Sequence, residues 1–423
     1  MANVKERLSS VLGHLSPAGS GSAGKAKLLQ KNQDDIVITF AARTPLTKAK
    51  KGALKDTNID DLVIALLTEV RQRSNLDPSL VEDVCLGNVL SDSGGYIARS
   101  SVLAAGYPVS TAASVANRFC SSGLLAIQNI ANQITAGSIE VGIAIGAESM
   151  STCPDNGAPG WLSEKITGHP IASQNLQTMG QTSENVAGDF GISRGAMDGF
   201  AARSFQRAEK AQKEGWSVDE IIPITVKVKD SKTGEVVEET ITQDGGIRPG
   251  TTAESLGKIR SAFPQWSPSN TTGGNASQLT DGAAVILLMK RSKALSLNQP
   301  ILAKFAAATV SGLEPRIMGI GPTYAIPKVL EKVGLSVQDV DVFEINEAFA
   351  SMGVYCIEKL GLDAERVNPR GGAIALGHPL GCTGARQVVT ALSELKRRGE
   401  RVAVTSMCVG TGMGMAGVFV SEH

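Results

Sequence analysis

The chain has 423 residues, 42% of them apolar, with 41 basic and 41 acidic side chains. That length supports large cores and about two or three domains. Balanced charge supplies no global field for nucleic acid or an anionic membrane, and no apolar run approaches the roughly 18–20 residues of a membrane span; neither partner is expected.

Residues 1–30 differ in character from the rest. Leu8, Val11, Leu12 and Leu15 recur at i, i+3, i+4 and i+7, one face of a short helix, and Pro17 to Gly24 reads as a Ser/Gly linker. From Asp35 the chain alternates strands and helices. Asp35–Phe40 is a strand, and Ile59–Arg71 is helical with Leu62, Ala65, Leu66 and Val70 on one face. Val84–Val89 is a strand; Leu124, Ile127, Ala131 and Ile134 mark a helix closed by Gly137; Val141–Gly146 is a buried strand. This alternation predicts α/β layers.

Residues 151–270 break the rhythm with Pro154, Pro159 and Trp161, a long helical pattern over Ser193–Lys213, and a hairpin of Ile224–Lys229 with Val236–Thr242. They read as an insertion, the first half resuming near Gly273–Met289. The C-terminal part repeats the first. Gly384 precedes Val402 as Gly123 precedes Val141, with a helix between, and Val342–Glu347 parallels Val84–Val89. The expected division is a leader and linker over 1–30, a first half over 31–150 and 271–295, an inserted loop domain over 151–270, and a second half over 296–423.

None of the six cysteines forms a C-x-x-C pair, so no metal site is expected. Of four histidines, His423 is the last residue and His14 lies in the leader, which leaves His169 and His378 as candidate imidazoles. Cys120, in Asn117-Arg118-Phe119-Cys120-Ser121-Ser122-Gly123, sits just before a helix start, where N–H groups and the helix dipole favour thiolate. A free thiol of pKa about 8.5 is only a few per cent ionised at neutral pH, so a base nearby matters. His378, between Gly377 and Pro379 on a rigid turn, is the best candidate. Asn346-Glu347-Ala348-Phe349 and Cys408-Val409-Gly410-Thr411-Gly412 complete the set. Two cysteines, a histidine and an asparagine among glycine-rich turns suit thiol-based acyl transfer. Cys382 reads as structural; Cys85, Cys153 and Cys356 have no derivable role.

Those blocks, with Gly273-Gly274-Asn275-Ala276-Ser277 and Gly371-Gly372-Ala373-Ile374-Ala375-Leu376-Gly377-His378-Pro379-Leu380-Gly381, resemble the signature blocks of thiolases in their order, over residues 35–420. The resemblance implies a five-layer α-β-α-β-α fold of two similar halves with mixed sheets plus an inserted loop domain, and a homodimer. It implies thiolysis of 3-ketoacyl-CoA by CoA through an acyl-cysteine, with CoA as co-substrate and no bound cofactor. Cys120 would attack the 3-keto carbon and His378 take its proton. Cys408 would protonate the acetyl-CoA carbanion and later deprotonate the second CoA. Asn346, through a water, and His378 would hold the thioester oxygen; the N–H groups of Cys120 and Gly410 would hold the other oxyanion. Arg248 would lie near the adenine of CoA, with Ser255 and Ser277 on its pantetheine arm or adenosine end.

Thr178-Met179-Gly180 replaces a His-Met pair of short-chain acetoacetyl-CoA thiolases, which favours a degradative enzyme over the biosynthetic alternative. A ketoacyl synthase would use two histidines. A non-catalytic carrier of CoA esters or lipids of this fold, and a cysteine protease, are the readings from other classes. The leader resembles an N-terminal peroxisomal targeting nonapeptide at Arg7, Leu8, His14 and Leu15, which implies an import receptor as partner and the peroxisomal matrix as location; an ordinary terminal helix or a mitochondrial transit peptide would carry the same residue types.

Overall fold

The computed structural model describes residues 20–229 and 233–423. The leader positions Arg7, Leu8, His14 and Leu15 lie outside the described residues. The segment expected as linker is not one throughout: helix α1 (Ser20–Leu28) begins inside it. Tertiary contacts override the glycine content there. Lys25 pairs with Asp341 at 2.8 Å, Lys304 Nζ donates to the carbonyls of Leu28 and Gln30 at 2.6 and 2.8 Å, and Leu28 and Leu29 pack on the second half.

The first half runs β1 (Ile36–Arg43), β2 (Thr47–Lys48), α2 (Ile59–Arg73), β3 (Asp83–Gly87), α3 (Gly94–Ala104), β4 (Ala112–Ala116), α4 (Ser122–Thr135) and β5 (Val141–Ser149). The insertion holds α5 (Met179–Asp189), α6 (Arg194–Lys213), the hairpin β6 (Ile224–Lys229) and β7 (Val236–Ile241), and α7 (Ala253–Gly257). Then β8 (Thr280–Lys290) returns to the first half. The second half follows as β9 (Ala303–Gly312), α8 (Pro322–Val333), β10 (Val342–Ile345), α9 (Ala350–Leu360), α10 (Leu380–Arg398), β11 (Val402–Val409) and β12 (Met413–Ser421). Local signals account for the boundaries. α2 opens with Asp60 and Asp61 and closes with Arg71 and Arg73, matching its dipole, while Leu62, Leu66 and Val70 turn inward. Ser193 caps α6 by accepting from Ala196 N at 3.2 Å.

The halves repeat strand for strand. In the first, β1, β8 and β5 pair antiparallel, and β5, β3 and β4 pair parallel. In the second, β9, β12 and β11 pair antiparallel and β11 with β10 parallel; the counterpart of β4 is a single parallel bridge between Phe343 and Val367. Three residue pairs between β1 and β9, from Ile36–Phe305 to Ile38–Ala303, join the halves into one mixed sheet system.

Strand alternation sorts the core into layers. On β8, Ala283, Val285, Leu287 and Met289 face α2 and α3, whereas Ala284, Ile286 and Leu288 face a central core with α4 and α10. On β12, Ala416 and Val418 face α8 on the far side. The result is α-β-α-β-α with α4 and α10 in the middle. These two helices touch at glycines. A Cβ on Gly123 would lie 2.7 Å from Ala385 N and from Gly381 O, and one on Gly384 would overlap the backbone of Leu124. The insertion leaves β5 and returns on its neighbour β8. Ser151 N and Oγ meet the two carboxylate oxygens of Asp281 at 2.9 and 2.5 Å across its root.

Candidate active site

Cys120 sits on the turn between β4 and α4. Asn117 Oδ1 accepts from Phe119 N at 3.0 Å, and Ser122 Oγ accepts from Arg118 N at 2.9 Å and donates to Phe119 O at 2.7 Å. These bonds hold Phe119 at φ +43°, a left-handed conformation uncommon for a large residue. The thiol is buried, and the backbone N–H groups of Gly410 and of Cys120 itself favour its ionised form. Burial pushes the thiol up to about 11, with smaller upward contributions from Asp155 and Glu148. The N–H groups at the helix start favour the thiolate, as the sequence suggested, but desolvation outweighs them and the thiol needs a base.

His378 follows Gly377, which has φ +107° and lies so close to Thr280 that a Cβ would overlap its hydroxyl. The His378 N–H donates to Thr280 Oγ1 and Gln278 O, both at 3.1 Å. The amide nitrogen of Asn346 lies 3.3 Å from Nε2, and Thr383 Oγ1 lies 2.6 Å from Nδ1. An amide nitrogen can only donate, so Nε2 is the bare acceptor and Nδ1 carries the hydrogen. The Thr383 hydroxyl in turn donates to Pro379 O at 3.3 Å. Burial, and then the Arg386 charge, lower the imidazole to about 3. It is a neutral base with its lone pair on Nε2.

Asn346 follows β10 directly, its N–H bound to Ser406 O at 2.9 Å, and its Oδ1 is a buried acceptor without a protein partner. It caps no helix; Phe349 holds that place for α9. Cys408, near the end of β11, is buried among Met318, Ala348 and Met352, with Met179 and Phe349 beside them. Its sulfur lies 3.5 Å from that of Met352. Burial drives the thiol well up, and the Cys120 and Cys356 sulfurs add to this. Cys382 is buried on α10 and pushed up to about 12 by desolvation. His169 is elsewhere: exposed in the insertion, with Nδ1 accepting from Ile171 N and Ala172 N at 3.2 and 3.1 Å.

Of the residues assigned to CoA, Arg248 reaches the 273–277 turn, Ser277 lies on it, and Ser255 stands apart on α7. Arg248 Nη2 donates to Gly273 O at 3.2 Å, and its guanidinium lies 5.0 Å from the Phe205 ring centroid. Ser277 N donates to Ala348 O at 2.9 Å, and Ala276 bridges Phe349. Ser255 is exposed on α7, where its hydroxyl completes a capping box with Thr252. Sequence reasoning missed Thr383 and Glu148. A hydroxyl one turn into the helix after His378 was a readable signal for the first; nothing local announces the second. Among the described residues, no group of three or more metal-ligating side chains could hold an ion, and no helix is long and apolar enough to cross a membrane.

The duplicated halves, the cysteine at one central helix and the histidine at the other are those of one family. Family models described as "Thiolase, N-terminal domain" and "Thiolase, C-terminal domain" match residues 36–292 and 299–421. The chain belongs to the thiolase family. It is 50% identical over 421 residues to the peroxisomal 3-ketoacyl-CoA thiolase B of Rattus norvegicus, covering 98% of each chain. It is 50% identical over 422 residues to the peroxisomal 3-ketoacyl-CoA thiolase of Homo sapiens, covering 98% of this chain and 99% of that one. The crystal structure of the dimeric peroxisomal thiolase of Saccharomyces cerevisiae superposes with a TM-score of 0.87 at 48% identity, covering 94% of this chain and all of that one.

Proposed function

We propose that this chain is a peroxisomal 3-ketoacyl-CoA thiolase that cleaves 3-ketoacyl-CoA with CoA to acetyl-CoA and a shortened acyl-CoA. The observation that carries the reading is the His378 ring set by Asn346 at 3.3 Å on Nε2 and Thr383 at 2.6 Å on Nδ1, in a chain that also buries the Cys120 and Cys408 thiols. His378 takes the proton of Cys120 at Nε2, and the sulfur attacks the 3-keto carbon. The N–H groups of Cys120 and Gly410, already turned to the sulfur, receive the oxyanion. The C2–C3 bond breaks, and its electron pair takes the proton of Cys408 as acetyl-CoA forms. The thioester oxygen of that departing unit is held by His378 Nε2–H and a water on Asn346. Then Cys408 thiolate takes the thiol proton of a second CoA, whose sulfur displaces Cys120 from the acyl group. Cys120 recovers its proton from His378, and the cycle closes.

Arg248, Ser255 and Ser277 bind CoA in this reading, which uses no other cofactor. Two chains pair through the outer edge of β4, where Tyr96 and Val109 are each 83% exposed beside Val115. The names of the relatives and the pattern at Arg7, Leu8, His14 and Leu15 support a peroxisomal leader read by an import receptor. The division into leader, two thiolase halves and inserted loop domain belongs to the same reading.

Thiolysis of 3-ketoacyl-CoA substrates of graded length tests it, with mass spectrometry after brief exposure to substrate. Acetyl-CoA forms and the acyl group is found on Cys120. No acetyl-CoA, or an acyl group on Cys408 or Cys382, overturns the reading; turnover of acetoacetyl-CoA alone replaces it with the biosynthetic one.

A further inference from the structure

The step along the chain that carries Gly123 to Gly384 and Val141 to Val402 carries Cys120 to Gly381. These two residues hold the same place in the repeated halves, at the starts of α4 and α10. The backbone N–H of Cys120 faces a sulfur; that of Gly381 donates to Glu148 Oε2 at 3.0 Å. Glu148, fully buried near the end of β5, makes three further bonds. Its Oε2 accepts from Val89 N at 3.1 Å, and its Oε1 from Leu90 N at 3.2 Å and Asn88 Nδ2 at 2.8 Å.

Four donors thus converge on one carboxylate from the turn after β3 and from the other half of the molecule. First-turn N–H groups of a helix are orphan donors, and the helix dipole favours an anion there. Gly381 allows the approach: a Cβ would lie 2.7 Å from Gly87 O and 2.9 Å from Asn88 Cα. The fold therefore contains two equivalent anion sites. An internal carboxylate fills one; the other is left to chemistry at Cys120.

We propose that Glu148 is a positioning residue. Its carboxylate ties the His378 end of α10 to the half that carries Cys120, and when ionised it opposes formation of the Cys120 thiolate. This rests on the roles of Cys120 and His378 proposed above. After burial, the charges that raise that thiol are Asp155 and then Glu148, with the Gly410 N–H opposing them; His378 is its proposed base, and the Cys120 sulfur in turn raises Cys408. Burial pushes the Glu148 carboxyl up to about 7 against its four donors, so its charge is present across the alkaline range in which thiols ionise.

The test is the pH dependence of Cys120 alkylation by iodoacetamide, mapped by mass spectrometry, beside kcat and the KM for CoA. Glu148→Gln removes the charge. Its alkylation midpoint moves down, because a negative charge that opposed the thiolate is gone. Its kcat falls at least about tenfold with KM little changed, since a misplaced group costs rate before affinity. Glu148→Asp keeps the charge but loses reach to Gly381 N, so its profile stays with the wild type while kcat falls comparably. Wild-type kcat in both variants, or an unmoved profile in Glu148→Gln, overturns the proposal. If Glu148→Gln does not fold, Glu148→Asp decides: kcat within twofold of wild type, or a shifted profile, overturns it. Alkylation of wild-type protein elsewhere than Cys120 would instead sink the proposed nucleophile.

Discussion

The imidazole Nδ1 of His378 lies 2.6 Å from the hydroxyl of Thr383. That contact decides which nitrogen faces the reaction. Thr383→Val keeps the volume but leaves the Nδ1–H without a buried acceptor, so the ring can exchange its hydrogen to Nε2 and lose its basic lone pair there. We expect kcat to fall at least about tenfold, a part of the roughly 10²–10⁴-fold that a general base contributes, with recovery in Thr383→Ser. Equal kcat in Thr383→Val and wild type would refute this role.

The lowered pKa of His378 carries a stability signature. Its folded value is about 3 against 6.5 for the free group, so the unfolded chain binds more protons between those values. Stability is fully present above pH 6.5 and is lost as pH falls toward 3, by about 1.4 kcal/mol per unit. Glu344, pushed up to about 7 by burial, acts in the opposite sense, so the comparison must be between variants. Between pH 7 and 5 the wild type should lose about 2 kcal/mol more than His378→Gln in urea unfolding; parallel losses would contradict the assignment.

Gly384 is fixed by the approach of α10 to Leu124. Gly384→Ala forces buried backbone apart and should cost about 1–3 kcal/mol or more. Gly195→Ala, on α6 with open space around it, should instead stabilise by about 0.5–1 kcal/mol. Differential scanning calorimetry of the two variants reads the contrast; equal melting temperatures would show that the central helices tolerate separation.

The proposed dimer edge makes a plain expectation. β4 pairs only with β3 in the described sheet, and Val115 on it is 38% exposed. Val115→Lys places a charge on that apolar edge and should yield monomers at micromolar concentration in sedimentation velocity, where the parent should sediment as the proposed dimer. A persistent dimer would move the interface elsewhere.

The proposed leader is tested by replacing Arg7 and His14 together. The purified enzyme should keep its activity and melting temperature, and in cells lacking wild-type subunits it should stay in the cytosol. Import into peroxisomes would refute the targeting role; lost activity would make the leader part of the fold.

Much of this was readable because the chemistry is local. The strands and helices around Cys120 and Val141 announce themselves by apolar periodicity, and their spacing recurs at Gly384 and Val402. What stayed hidden depends on partners distant in sequence. α3 opens on Gly94 and Gly95, and β4 is built of Ala112, Ala113, Ser114, Val115 and Ala116, so neither has a strong local pattern. The docking of α1 rests on Asp341 and Lys304. The protonated state of Cys120 follows from burial, which no local motif encodes, and the link from Glu148 to Gly381 joins residues 233 positions apart.

The bond between Ser151 and Asp281 closes a loop at its neck: the insertion begins and ends on adjacent strands. Ring closure is already accomplished by the sheet, so added length at exposed turns beyond the neck costs little entropy, whereas Phe205 in the central core and Asp244 against Arg43 are held by buried partners. The molecule thereby separates two kinds of evolutionary change. Exposed turns beyond the neck can vary in length, whereas the duplicated frame and the buried face of the insertion are held residue by residue.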